Sequence, residues 1–142
     1  MILVSVTRLH VRSWWFFLPF AFYALRSSSQ ARRSPGFIAG TLGNDAERGN
    51  WTITLWNSET DMRGFRNSGV HRVAMRKLLH WCDEASYVHY TTEETDLPAA
   101  DAAYERLRKG KTSKVNNPSA AQAEGRTVSA GVPRFGPKLQ PR

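Results

Sequence analysis

The sequence predicts an α+β fold, one four-stranded antiparallel sheet with helices on one face, and three observations predict it. Residues 2–11 (ILVSVTRLHV) and 51–56 (WTITLW) alternate at the strand period of two. From Pro19 and from Val70 onward, apolar residues instead recur at helical spacing. The charge is also unevenly held: residues 1–97 carry 11 Lys/Arg and 9 Asp/Glu, whereas residues 98–142 carry 9 and 3. The near-neutral part is therefore the part able to bury a core, and 142 residues with 41% apolar side chains suit one domain rather than a multidomain machine.

Taken in order, the first strand puts Leu3, Thr7, Leu9 and Val11 on one face and Ile2, Val4, Val6, Arg8 and His10 on the other. Pro19 suits a first helical turn; Phe20, Tyr23, Ala24 and Ser27 continue that helix until Arg32-Arg33-Ser34-Pro35-Gly36 ends it. Phe37 to Leu42 reads as a second strand, 43–50 as a Gly- and Asn-containing loop, and Trp51 to Trp56 as a third strand, so 37–56 is a hairpin. Ser58-Glu59-Thr60-Asp61 is a capping pattern that starts a helix carrying Met62 and Phe65. Ser68-Gly69 breaks it, and Val70, Val73, Ala74, Leu78 and Trp81 carry a second helical piece to about Asp83. Ser86 to Thr91 alternates as a fourth strand. The order β-α-β-β-α-β is the ferredoxin-like split βαβ arrangement. Both faces of such a sheet carry large apolar groups here, so its second face is expected to need a partner, and a homodimer with facing sheets meets that need.

The division expected is a domain at 1–97, a short amphipathic helix at 98–109 packing on the rim, and a disordered basic tail at 110–142. Four Gly and four Pro interrupt that tail, and nothing in it repeats at a period of 2 or 3.6. Its only aromatic is Phe135, so it offers no stacking platform and nucleic acid is not indicated as a partner. The single cysteine, Cys82, excludes an intrachain disulfide and a CxxC zinc site, and fits a reducing, cytoplasmic setting. The four histidines lack HxH or HExxH spacing. Gly110-Lys111-Thr112 lacks the upstream glycine of a phosphate-binding loop, that position being Glu105. The apolar run Trp14 to Leu25 is too short to cross a bilayer and contains Pro19. With its flanking arginines it suggests a membrane-surface contact, and a targeting segment within 1–33 is the alternative to a strand and helix of the domain.

The stretch Ile53 to Met75, ITLWNSETDMRGFRNSGVHRVAM, resembles the strand-helix core of the antibiotic-biosynthesis-monooxygenase-like family of dimeric α+β barrels. The features carrying the likeness are Trp56 ending a strand, Ser58 with Glu59, Phe65 in the helix and Ser68 before the next helical piece. The resemblance implies a ferredoxin-like subunit, a homodimeric barrel and an oxygenase-type pocket between sheet and helices. Haem-degrading members carry a helical Trp, a haem-ligating His ten residues later and an Asn in the first strand. Phe65, Met75 and Thr7 stand at those positions, so the motif residues do not support haem, and neither metal nor flavin is expected as a cofactor.

The chemistry expected is that of a largely apolar pocket taking a lipophilic or aromatic small molecule. An oxygenase without metal or flavin relies on a substrate that becomes the electron donor once deprotonated, while the protein supplies orientation, desolvation and hydrogen bonds to the developing anion. The candidates are His71 as base or proton shuttle and Arg66 and Asn67 as donors, with Trp56, Phe65, Met75 and Trp81 as the substrate-binding wall. His71, close to a helix N-terminus, is expected to stay neutral near pH 7. A protein of the same fold that binds a ligand without catalysis is the alternative. Cys82 is expected to be packing rather than a nucleophile.

Overall fold

A computed structural model describes all residues 1–142. β1 (Ile2–Val11) is followed by a 3₁₀ turn at Trp14–Phe16 and by α1 (Phe17–Arg33). The hairpin β2 (Phe37–Asn44) and β3 (Asn50–Trp56), the helices α2 (Glu59–Arg66) and α3 (Gly69–Trp81), and β4 (Cys82–Thr92) complete the β-α-β-β-α-α-β order. Beyond it lie α4 (Ala100–Arg108), β5 (Lys111–Thr112), α5 (Ala120–Ala123) and β6 (Arg134–Phe135). The sheet is antiparallel throughout, in the order β5-β4-β1-β3-β2-β6. No helix is long and apolar enough to cross a membrane.

Local chemistry sets the boundaries. Ser58 caps α2 by accepting from the Asp61 amide at 3.1 Å. Gly69 adopts φ 59°, which a side chain would resist, so the chain turns there from α2 into α3. At the other end of α3 the chain passes without a turn into β4: Cys82 is already extended while its amide still bonds Leu78 O. β4 thus begins four residues earlier than alternation suggests. Two acids account for this, Asp83 meeting His10 Nδ1 at 2.6 Å and Glu84 meeting Arg8, which hold onto β1 the residues between the expected helix end near Asp83 and the expected strand start at Ser86.

The two sheet faces have different tasks. Val4 and Val6 of β1, with Trp51, Ile53 and Leu55 of β3, are fully buried against Ala103 and Leu107 of α4. The 98–109 helix therefore lies on the sheet face itself rather than on its rim, and the face expected to require a partner is covered within the chain. The segment 110–142 also departs from expectation. β5 pairs with β4, β6 pairs with β2, Val115 and Thr127 are buried, and Gly40 and Leu139 exchange backbone hydrogen bonds. The segment is held by backbone pairing and isolated anchors, which leave no periodic signal. Gly43 permits the approach, since a Cβ there would collide with Arg134 O.

A buried ionic cluster ties this layer down. Arg8, 1% exposed, donates to Asp45 at 2.7 Å and to Glu84, while Glu84 also accepts from Ser119 and Ser129. Asp45 accepts from the Trp51 indole at 2.9 Å and from the Gly49 amide at 2.8 Å. Burial alone would raise both carboxyls, but their hydrogen bonds, Arg8's foremost, hold them below their ordinary range.

Candidate functional site

The other face of the sheet does not close on the helices. Between it and α1, α2 and α3 lies a cavity of about 500 Å³, within the range of small-molecule sites. Its floor is polar where a core would be apolar. The register aligns His89, Ser5 and Thr54 in one row across β4, β1 and β3, and Tyr87, Thr7 and Thr52 in the next. All six line the cavity, and none has a side-chain hydrogen bond within the protein.

One wall is an aromatic stack built by β3, α2 and α3. Trp56, at 0% exposure, lies against Phe65 with ring centroids 5.2 Å apart, and Phe65 lies against His71 at 4.4 Å. The Trp56 indole N–H is buried without a partner, although such a donor normally costs about 1–3 kcal/mol when left unmade. His71 Nδ1 lies 3.2 Å from Arg66 O. Because a carbonyl only accepts, Nδ1 carries the proton and Nε2 is left with the free lone pair. Burial lowers the His71 pKa; the bond to Arg66 O opposes this and the Arg66 charge adds to it. The ring is neutral near pH 7 as expected, with burial rather than the helix terminus as the first cause.

The placement of His71 depends on Gln30 of α1, a residue sequence reasoning missed. Its Oε1 accepts from the His71 amide at 2.9 Å, while its Nε2 donates to Ser68 O at 2.8 Å and Phe65 O at 3.2 Å. Ser68 makes no side-chain cap for α3, so one glutamine from a neighbouring helix satisfies the break between α2 and α3. His89 was also missed, since in a strand of alternating polar residues it carries no signal of its own. Burial, then the charge of Arg66, lowers its pKa.

Of the residues singled out from sequence, His71, Arg66, Trp56, Phe65 and Met75 come together around this cavity. Two do not. Asn67 is exposed at the C-terminal end of α2, and Trp81 packs outside the cavity beside Tyr23 and Cys82. Cys82 is fully buried, and burial with the charge of Asp83 pushes its thiol up to about 12, which makes it inert as a nucleophile. The cavity lining contains cations, Arg66 and Lys114, but no carboxylate and no thiol. For a divalent cation this is a poor donor set, two imidazoles among hydroxyls beside positive charge.

Neither protein-family models nor curated protein sequences give a match. Solved structures do. A point variant of SnoaB from Streptomyces nogalater, described as a cofactor-independent oxygenase, superposes with a TM-score of 0.56 at 18% identity, over 69% of this chain and 98% of that one. A candidate antibiotic biosynthesis monooxygenase from Nitrosomonas europaea gives 0.58 at 14% identity, over 65% and 90%. The fold is that of the antibiotic-biosynthesis-monooxygenase-like proteins. A conserved protein from Methanosarcina mazei Go1 gives 0.59 at 14% identity over 66% and 94%, so this monooxygenase-like fold covers about two thirds of the chain and nearly all of its structural neighbours.

Proposed function

We propose that the protein is a monooxygenase-like enzyme that oxidises a lipophilic aromatic substrate in the cavity under α1 and α3, without metal or flavin. The observation that carries this reading is the Trp56-Phe65-His71 stack, which sets a free imidazole lone pair beside Arg66 in one cavity whose lining holds no acid. A carbon acid flanked by phenolic rings, such as the methylene of an anthrone, suits it. His71 Nε2 removes a methylene proton, and the charge that develops on the substrate oxygen is met by Arg66, which lines the same cavity. The anion gives one electron to dioxygen, the radical pair joins to form the C–O bond, and His71 returns its proton to the peroxide. Removal of the second methylene proton with departure of hydroxide then yields a carbonyl and one water, so one oxygen atom enters the product and the other leaves as water. The polar rows of the floor hold the remaining oxygens of such a ring system.

The test is oxygen uptake with anthrone, together with product analysis under labelled dioxygen. His71→Ala is expected to lower turnover on the order of 10²-fold, and His71→Phe to keep the fold while losing the activity. Turnover by both variants at the wild-type rate would make His71 structural and end this assignment. Anthrone that binds and shifts the melting temperature but is never oxidised would favour the ligand-binding alternative. The homodimer implied by the family resemblance loses the support of a bare sheet face, because α4 occupies that face. Light scattering is expected to give twice the chain mass, with assembly on a surface other than the face that α4 covers, and one chain mass would remove the homodimer.

A further inference from the structure

α1 is apolar on two sides, and only one is used. Phe20, Tyr23, Ala24, Ser27 and Ala31 recur at helical spacing toward the cavity. Leu18, Phe22 and Leu25, at i, i+4 and i+7, form a second stripe that points outward and is 78%, 54% and 68% exposed. The 3₁₀ turn before the helix extends the stripe with Trp14 and Trp15, stacked at 4.1 Å and about 70% exposed, and Phe17 adds to it. Isolated apolar residues on a surface need no explanation, but six large ones in one contiguous segment do.

The charge around this stripe is of one sign. No Asp or Glu occurs between residues 1 and 44 or between 62 and 82, the segments that supply α1 and α3. Arg12 lies over the Phe16 ring at 4.7 Å and Arg26 over Phe22 at 5.6 Å; Arg72, Arg76 and Lys77 are exposed on the adjoining α3. Between the two helices runs a groove lined by Phe22, Tyr23, Arg26, Val70 and Val73.

We infer that the outer face of α1, with the Trp14-Trp15 turn as its leading edge, docks on the surface of a bilayer containing anionic lipid. Tryptophans favour the headgroup level, leucine and phenylalanine the acyl boundary, and arginines the anionic headgroups just outside it, which is the order found here from the turn to the flanks. Charge selects this occupant over a second copy of the chain. A symmetric pair would set the same acid-free, arginine-rich rim against itself. The inference does not depend on the proposed oxidation, since none of these six apolar residues lines the catalytic cavity.

The test uses the full chain with vesicles of phosphatidylcholine containing phosphatidylglycerol, and with phosphatidylcholine alone, read by co-sedimentation and tryptophan emission. The protein is expected to bind the anionic vesicles at least about 10-fold more strongly than the neutral ones, and to lose that preference at high salt. Trp14→Ser/Trp15→Ser is expected to lower partitioning by about 10-fold or more with an unchanged melting temperature, and Arg26→Glu to weaken it further. Equal partitioning of wild type and the double variant, or no partitioning at all, overturns the inference. So does a doubling of mass without vesicles that the double variant abolishes, because the stripe is then a contact between copies.

Discussion

Lowering the pH from 8 to 5 should destabilise the protein through two histidines in its cavity. Burial keeps His71 and His89 below their ordinary pKa, so the unfolded chain takes up a proton near pH 6.5 while the folded one does not. The unfolded state then binds more protons, and stability falls as pH falls below about 6.5 until the folded values are reached. The limiting slope is about 1.4 kcal/mol per pH unit for each histidine, so the descent from 6.5 to 5 costs at most about 2 kcal/mol apiece. The Asp45 and Glu84 carboxyls, held low by their hydrogen bonds with Arg8 foremost, contribute stability that is lost only below about pH 4, outside this window. The assay is urea unfolding at each pH for wild type and for His71→Gln/His89→Gln. The double variant should show a flatter profile, and the gap between the two profiles isolates the cavity pair from His10 and His80, which both proteins retain. Parallel profiles would refute the reasoning, because they would mean that the two imidazoles charge as freely folded as unfolded.

Three further outcomes follow from contacts already described. Gln30→Leu removes the only side-chain cap at the start of α3 and should cost about 1–2 kcal/mol in chemical unfolding; it should also lower kcat more than it raises KM, because His71 is displaced while the cavity wall remains. Arg66→Met should weaken binding of an oxygenated aromatic ligand by about 10-fold, measured by calorimetry, since the ligand would lose a charge-assisted hydrogen bond in the cavity. Deleting residues 111–142 should lower the melting temperature by several degrees in differential scanning calorimetry, because it uncovers part of the sheet and leaves Glu84 without Ser119 and Ser129. An unchanged melting temperature would mean that the segment only rests on the domain.

Several of these elements are legible in the sequence because one local rule decides each. Alternation marks β1 and β3, a serine oxygen marks the start of α2, and a glycine marks the turn into α3. The aromatic stack is legible in part: Trp56, Phe65 and His71 occur at spacings that one strand and two short helices bring together. Gln30 and His89 are not legible, because their importance arises where α1 and β4 cross the site, and a single glutamine or histidine carries no periodicity. Charge composition also misleads beyond residue 110, where order comes from backbone pairing with β2 and β4, a source to which polar composition is indifferent. The argument that one sheet face is bare depended on counting apolar strand residues without knowing that Ala103 and Leu107 reach them, and it leaves the homodimer resting on the family resemblance.

The covering of the outer sheet face by α4 has a consequence for how the chain is made. All four long strands leave the ribosome before residue 100, and until α4 follows, Val4, Val6, Trp51, Ile53 and Leu55 share one bare face. A translation product that stops early, or a protease cut in the 93–99 connection, therefore exposes an apolar sheet that can associate with other such faces. Ala103, fully buried where α4 meets the sheet, lets that helix approach closely enough to close the face within the same molecule.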